Sequence, residues 1–130
     1  MATLPSSEIL ELAGFVLLHC ALIADSNRNG ELICPFAVIV DASGRRLVDF
    51  ESETQEEAVA KGWESLAESR GRSEWWSFGR EGLIRDKGEA TDVLTVSFWA
   101  PNMQEPASLI QRFARSHEQE LYLLGGTDLL

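Results

Sequence analysis

The stretch from Ile9 to Ala24 constrains this chain more than any other, because it is apolar on almost every side. Ile9, Leu12, Ala13, Val16 and Cys20 recur at helical spacing, while Phe15, Leu17, Leu18, Leu22 and Ile23 fill the remaining faces. Ser6 or Ser7 can cap such a helix, with Glu8 placed favourably against its N-terminal dipole. A helix apolar nearly all round is either buried in its own domain or shared with another subunit. Complete burial of one helix is hard to arrange in 130 residues, so Phe15 and its neighbours point to a homodimer. Periodicity alone also leaves open a buried strand over Phe15–Ile23.

Length and composition set the remaining bounds. The chain is expected to form a single α+β domain over residues 1–130, the usual size for one domain. Hydrophobic residues make up 45% and charged residues 25%, which excludes a disordered composition. The net charge of −10, from 21 acids against 11 bases, argues against a nucleic-acid binder and against an anionic membrane surface. It leaves room for a basic protein partner. The unbroken apolar run Phe15–Ala24 falls short of the roughly 20 residues of a membrane span. No basic residue precedes it, whereas a signal peptide carries one. The expected location is therefore cytoplasmic, with no membrane partner.

Further along, Asp25-Ser26-Asn27-Arg28-Asn29-Gly30 has the chemistry of a loop. Ile33–Val40 predicts a strand buried on both faces, with Pro35 at an edge or just before its start. Asp41-Ala42-Ser43-Gly44 turns the chain, and Arg46–Phe50 returns as the partner strand. Thr54-Gln55-Glu56-Glu57 reads as a capping box opening a second helix, with Ala58, Val59, Gly62, Trp63, Leu66 and Ala67 on one face and a stop near Arg70-Gly71-Arg72. Trp75–Arg85 and Val93–Ala100 predict two more strands joined by Asp86-Lys87-Gly88-Glu89. Leu109–Phe113 is either a fifth strand or a short helix. Leu121–Leu124 is a further apolar run ended by Gly125-Gly126.

The resulting order is α-β-β-α-β-β with one or two further strands. Its hairpins imply a mainly antiparallel sheet of four to six strands with both helices on one face. That element order is similar to roadblock and longin-type domains, a likeness of order alone, which implies a dimerising scaffold.

Candidate chemistry is sparse. His19 and Cys20 diverge by about 100° on a helix, and with Cys34 and His117 they show no zinc spacing. Asp49, Glu51 and Glu53 share one strand face, followed by Glu56 and Glu57, but lack the pattern of a calcium loop. There is no G-x-S-x-G and no glycine-rich phosphate loop. No catalytic residue, metal or cofactor is assigned.

The most informative stretch is Trp75-Trp76 with Phe78, Arg80 and Glu81. Strand parity sets Trp76, Phe78 and Ile84 on one face with Arg80, and Trp75, Glu81 and Leu83 on the other. If nothing covers it, Trp75 beside Trp99 forms an aromatic binding surface, and aromatic residues with Arg are enriched in binding hot spots. Otherwise a loop or the C-terminal segment covers that face. Two functions follow. The first is a non-enzymatic, self-associating interaction module using the first helix (Phe15) or the tryptophan-bearing sheet. The second is a small-molecule-binding or enzymatic domain with a pocket near Arg80 and Glu81.

Overall fold

In a computed structural model of the chain, the described residues are 6–27, 31–69 and 74–130. Helix α1 (Ser7–Ser26) precedes a hairpin of β1 (Phe36–Asp41) and β2 (Gly44–Asp49). Helix α2 (Gln55–Ser69) then leads to β3 (Trp75–Asp86), β4 (Glu89–Trp99), β5 (Ala107–Arg115) and β6 (Leu121–Leu129). All six strands pair antiparallel in the spatial order β2-β1-β3-β4-β5-β6. The fold is α+β, in the element order read from the sequence, with two further strands at its end.

Local chemistry explains most boundaries. Thr54 Oγ1 accepts from the Glu57 N–H at 3.1 Å, so half of the expected capping box forms. The Glu57 carboxylate instead accepts from Ser52 Oγ at 2.9 Å. Ser6 occupies the N-cap of α1 but makes no side-chain capping bond, so that expectation fails. Asp25 and Ser26 extend α1 rather than opening a loop. Arg28–Gly30, and the Arg70-Gly71-Arg72 stop expected for α2, lie outside the described residues. Pro35 immediately precedes β1 and its carbonyl accepts from Phe50 N at 2.8 Å. At the β3–β4 turn Lys87 (φ 52°) and Gly88 (φ 83°) are both left-handed, the twist that suits a two-residue hairpin.

The two helices lie on opposite faces of the sheet, and this corrects the expectation of a shared face. Neighbouring strand residues point to opposite sides, and Phe78 and Gly79 settle the matter. The Phe78 ring meets Trp63 of α2 edge-on at 5.3 Å and lies under Gly62. Gly79 lies under Cys20 and Val16 of α1. The cause is visible in the central strands. Ala37, Ile39, Trp76 and Phe78 load one face, while Phe36, Val38, Val96 and Phe98 load the other, and all are buried. A sheet apolar on both sides needs two covers.

Each helix approaches closely at a glycine. A Cβ on Gly62 would come within 2.5 Å of the Phe78 ring. One on Gly79 would come within 2.5 Å of Cys20 Sγ and 2.9 Å of Val16. By length and composition alone α1 could cross a membrane, which the shorter Phe15–Ala24 run did not suggest. Here Ile9, Leu12, Ala13, Val16, Cys20 and Ala24 are buried against the sheet. We expect Gly79→Ala to destabilise the fold by about 1–3 kcal/mol through overpacking, measured by urea denaturation. Adding Cys20→Ala should recover part of that loss.

Candidate functional site: the outer side of α1 and strand β6

The tryptophans named from sequence do not form a surface. Trp76 is 1% exposed and meets Trp63 edge-on at 5.8 Å. Trp99 pairs in register with Trp76, not with Trp75, so it shares the α2 face. It is buried there, and its Nε1 donates to the Met103 carbonyl at 3.0 Å. Trp75 lies on the α1 face, half-buried against the core. Parity along β3 was readable, but the partner of Trp99 depends on the β3–β4 register.

Arg80 and Glu81 point to opposite faces, so they cannot line one pocket together. The Arg80 guanidinium lies over the rings of Phe78 (4.8 Å) and Trp63 (5.2 Å). It donates to Ser97 Oγ at 3.1 Å and to the Phe78 carbonyl at 3.3 Å. Burial pulls its pKa down to about 10, which still leaves it charged at neutral pH. Among the described residues no carboxylate pairs with it. Glu81, on the α1 side, accepts from the Ile33 N–H at 2.6 Å and so pins the segment before β1. Burial pushes its carboxyl above the usual range, with Asp92 adding to the rise; the Ile33 N–H and Arg115 oppose it.

The two cysteines differ in setting, one buried and one exposed. Cys20 is buried, and burial first, then Glu81, pushes its thiol up to about 12. Its neighbour His19 turns away, stacked on Phe15 and edge-on to Phe36 at 5.3 Å. Cys34 is exposed in an open cleft of about 720 Å³ between Pro35 and the start of α2, with Glu31, Glu51 and Glu53 on its walls. Partial desolvation, then Asp49 and Glu51, raise that thiol as well. Among the described residues no group of three or more His, Cys, Asp or Glu is placed to hold a metal ion.

What remains is apolar surface. The outer side of α1 exposes Phe15 (52%), Leu18 (60%) and Leu22 (62%). Phe15 has local company in His19 and in Arg45, whose guanidinium carbon lies 6.0 Å from its ring centre. Leu18 borders a small cleft of about 190 Å³, floored by Leu94 and Gln111 and closed by Leu123 and Thr127 of β6. Strand β6 is exposed along nearly its whole length. Register with β5 sends Leu123 and Leu129 to the α1 face and Tyr122 and Leu124 to the α2 face. All four are exposed. Sequence reading missed this strand's reach, because Gly125-Gly126 looked like a stop. Gly125 instead takes φ 69° within the strand, beside a register shift between Ile110 and Arg112. Buried Gln111 holds this irregular stretch, donating to the Gly125 carbonyl at 3.2 Å and accepting from Thr127 Oγ1 at 2.6 Å.

Comparison with protein-family models, curated proteins and solved structures finds no match to this chain.

Two measurements follow from the ionisable groups. Glu81 has a folded pKa raised above its unfolded value, so its contribution to stability is fully present below the unfolded pKa. That contribution is lost as pH rises through the folded pKa. We expect Glu81→Gln to lose less stability than the parent between pH 4.5 and neutrality, about as read from urea midpoints across that window. A thiol reagent should titrate one cysteine, Cys34, in the native chain and both after denaturation. The native reaction should quicken as pH rises toward the elevated Cys34 pKa.

Proposed function

We propose that this chain is a non-enzymatic protein-interaction module that associates with itself through the outer side of α1 and the adjoining strand β6. The observation that carries the reading is the apolar surface left on the α1 side after folding: Leu18, Leu22, Leu123 and Leu129 all stay exposed although both helices are already seated on the sheet. Monomers rarely leave contiguous apolar patches of this kind open, and such patches mark interaction sites. The cleft between Leu18 and Leu123 is sized for an apolar side chain rather than a large ligand. Arg80 and Glu81 lie on opposite faces of β3, and His19 packs against Phe15 and Phe36, so the pocket weighed from sequence near Arg80 and Glu81 does not assemble there.

The acidic charge fits a second contact. A basic protein partner would find Glu31, Glu51 and Glu53 around the larger cleft, well apart from β6. Association there would weaken with salt, whereas association at the apolar surface would not.

Sedimentation or light scattering across micromolar to near-millimolar concentration tests the reading. A mass above that of one chain is expected. Leu18→Glu, an exposed position, should leave the far-ultraviolet circular dichroism unchanged and weaken association about tenfold or more. A strict monomer throughout would end the proposal.

A further inference from the structure

We infer that the cleft beside Glu81, where β1 leaves β3, binds a primary ammonium group on an alkyl stem, the chemistry of a lysine side chain or a free diamine. Strand β1 stays paired with β3 only from Val40 opposite Trp75 to Phe36 opposite Gly79. Strand β3 runs on to Asp86. Beyond Gly79 the segment ahead of β1 comes alongside instead, held where Glu81 Oε2 accepts from the Ile33 N–H at 2.6 Å. A cleft of about 270 Å³ opens there, lined by Leu32, Gln55, Glu81, Gly82, Leu83 and Asp92. None of these residues belongs to α1 or β6, so the site goes beyond self-association and does not depend on it.

Glu81 and Asp92 supply the acceptors. Glu81 is only 9% exposed, yet among the described residues its other carboxylate oxygen, Oε1, makes no hydrogen bond or ion pair. Asp92 makes none either. Glu81 stands opposite Leu94, and Asp92 opposite Leu83, so the two acids are diagonal neighbours on one face. Diagonal neighbours lie about 7–8 Å apart at the backbone, a spacing that lets one ammonium sit between two carboxylates. Burial and Asp92 both penalise the Glu81 charge, and a cation placed between the acids offsets both. Arg115 also acts on Glu81, but its guanidinium donates to the Ala24 and Gln119 carbonyls. Independently, Gln55 Nε2 on the cleft wall is enclosed with no hydrogen-bond partner among the described residues. Such a donor costs free energy until an acceptor meets it.

The lining selects the kind of cation. Among the described residues no group of three or more His, Cys, Asp or Glu is placed to hold a metal ion, so two carboxylates with apolar walls call for an organic one. Leu32 (56% exposed) and Leu83 (52%) offer surface to an alkyl stem, and the three donors of an ammonium match the open oxygens. The volume falls below the roughly 300 Å³ at which drug-sized ligands begin, which suits a slim chain. Leu32 and Gln55 also line the larger cleft, where Glu51 and Glu53 stand. A ligand continuing outward therefore meets more negative charge, as the net charge of −10 also favours. A lysine in a basic segment meets these demands best, because its own peptide carbonyl brings an acceptor for Gln55, which a diamine lacks.

The test is an NMR titration of the full chain with n-butylammonium chloride, which is the lysine side chain alone. n-Butanol keeps the stem without the charge, and tetramethylammonium chloride at equal ionic strength keeps the charge without N–H donors. Saturable shifts of the Ile33, Gly82 and Leu83 amides are expected with n-butylammonium alone. The cation favours ionised Glu81, so the Glu81 carboxyl should titrate at lower pH when the amine is bound, and affinity should rise as pH rises through the folded Glu81 pKa. Asp92 and Arg115 are the charged groups acting on Glu81; Cys20 on α1, its thiol pushed up to about 12, stays neutral there. Asp92→Asn, an exposed change, should leave the fold intact and weaken binding about tenfold. A blocked tripeptide with a central lysine should bind more tightly than n-butylammonium; a tighter fit for 1,4-diaminobutane would keep the ammonium site and assign it to a free amine. Equal shifts with tetramethylammonium or n-butanol, or a Glu81 titration that the amine leaves unmoved, would overturn the site. Sedimentation of the same samples reads self-association separately, so either reading can fail alone.

Discussion

Two consecutive residues, Phe78 and Gly79, hold the molecule's layers together. Because strand neighbours face opposite ways, one residue serves each helix. Phe78 supplies bulk to α2, which answers with a glycine at position 62; Gly79 supplies room to α1, which answers with Cys20 and Val16. The complement is large against small on one side and small against large on the other. Both helices are thereby held close to the same short length of β3, and most of the buried core gathers around it. Everything farther from that point, β5 and β6 above all, is held by backbone ladders more than by packing.

Polar contacts then tie the periphery to this centre. Glu81 secures the segment ahead of β1 through the Ile33 amide. Arg115 reaches from β5 to the Ala24 carbonyl at 2.8 Å, while Asp25 caps the Leu121 amide, so the end of α1 is fastened to the hairpin that carries β6. These bonds satisfy carbonyl and amide groups that helix and strand ends leave open. They also explain how a strand with little buried area keeps its place. Arg80 is a different case: its charge is held by aromatic faces and a serine hydroxyl rather than by a carboxylate, and it stiffens the junction between α2, β3 and β4.

Much of this was legible in the sequence where the cause is local. The Thr54 cap, the turn at Lys87-Gly88, the alternation of β3 and β4 and the surplus grease of α1 all follow from residues within a few positions of one another. The failures share a different origin. Trp99 was set beside Trp75 because register between strands is a long-range property. Both helices were placed on one face, although the two-sided apolar pattern of Ile33–Val40 already implied a cover on each side. Strand β6 was cut short at Gly125-Gly126, since the side chain that stabilises the left-handed glycine, Gln111, comes from a neighbouring strand. The apolar outer side of α1 could be read directly. The exposed length of β6 could not, because being an edge is a fact about strand order.

The distribution of tryptophan has an optical consequence. Trp63, Trp76 and Trp99 cluster on the α2 side of β3 and β4, and Trp75 sits half-buried at the start of β3 on the other. None borders the cleft between α1 and β6. Intrinsic emission therefore watches the docking of α2 and the melting of the central strands, and is nearly blind to events along β6. A spectroscopist following that signal alone would see the core unfold and learn little of what happens along β6.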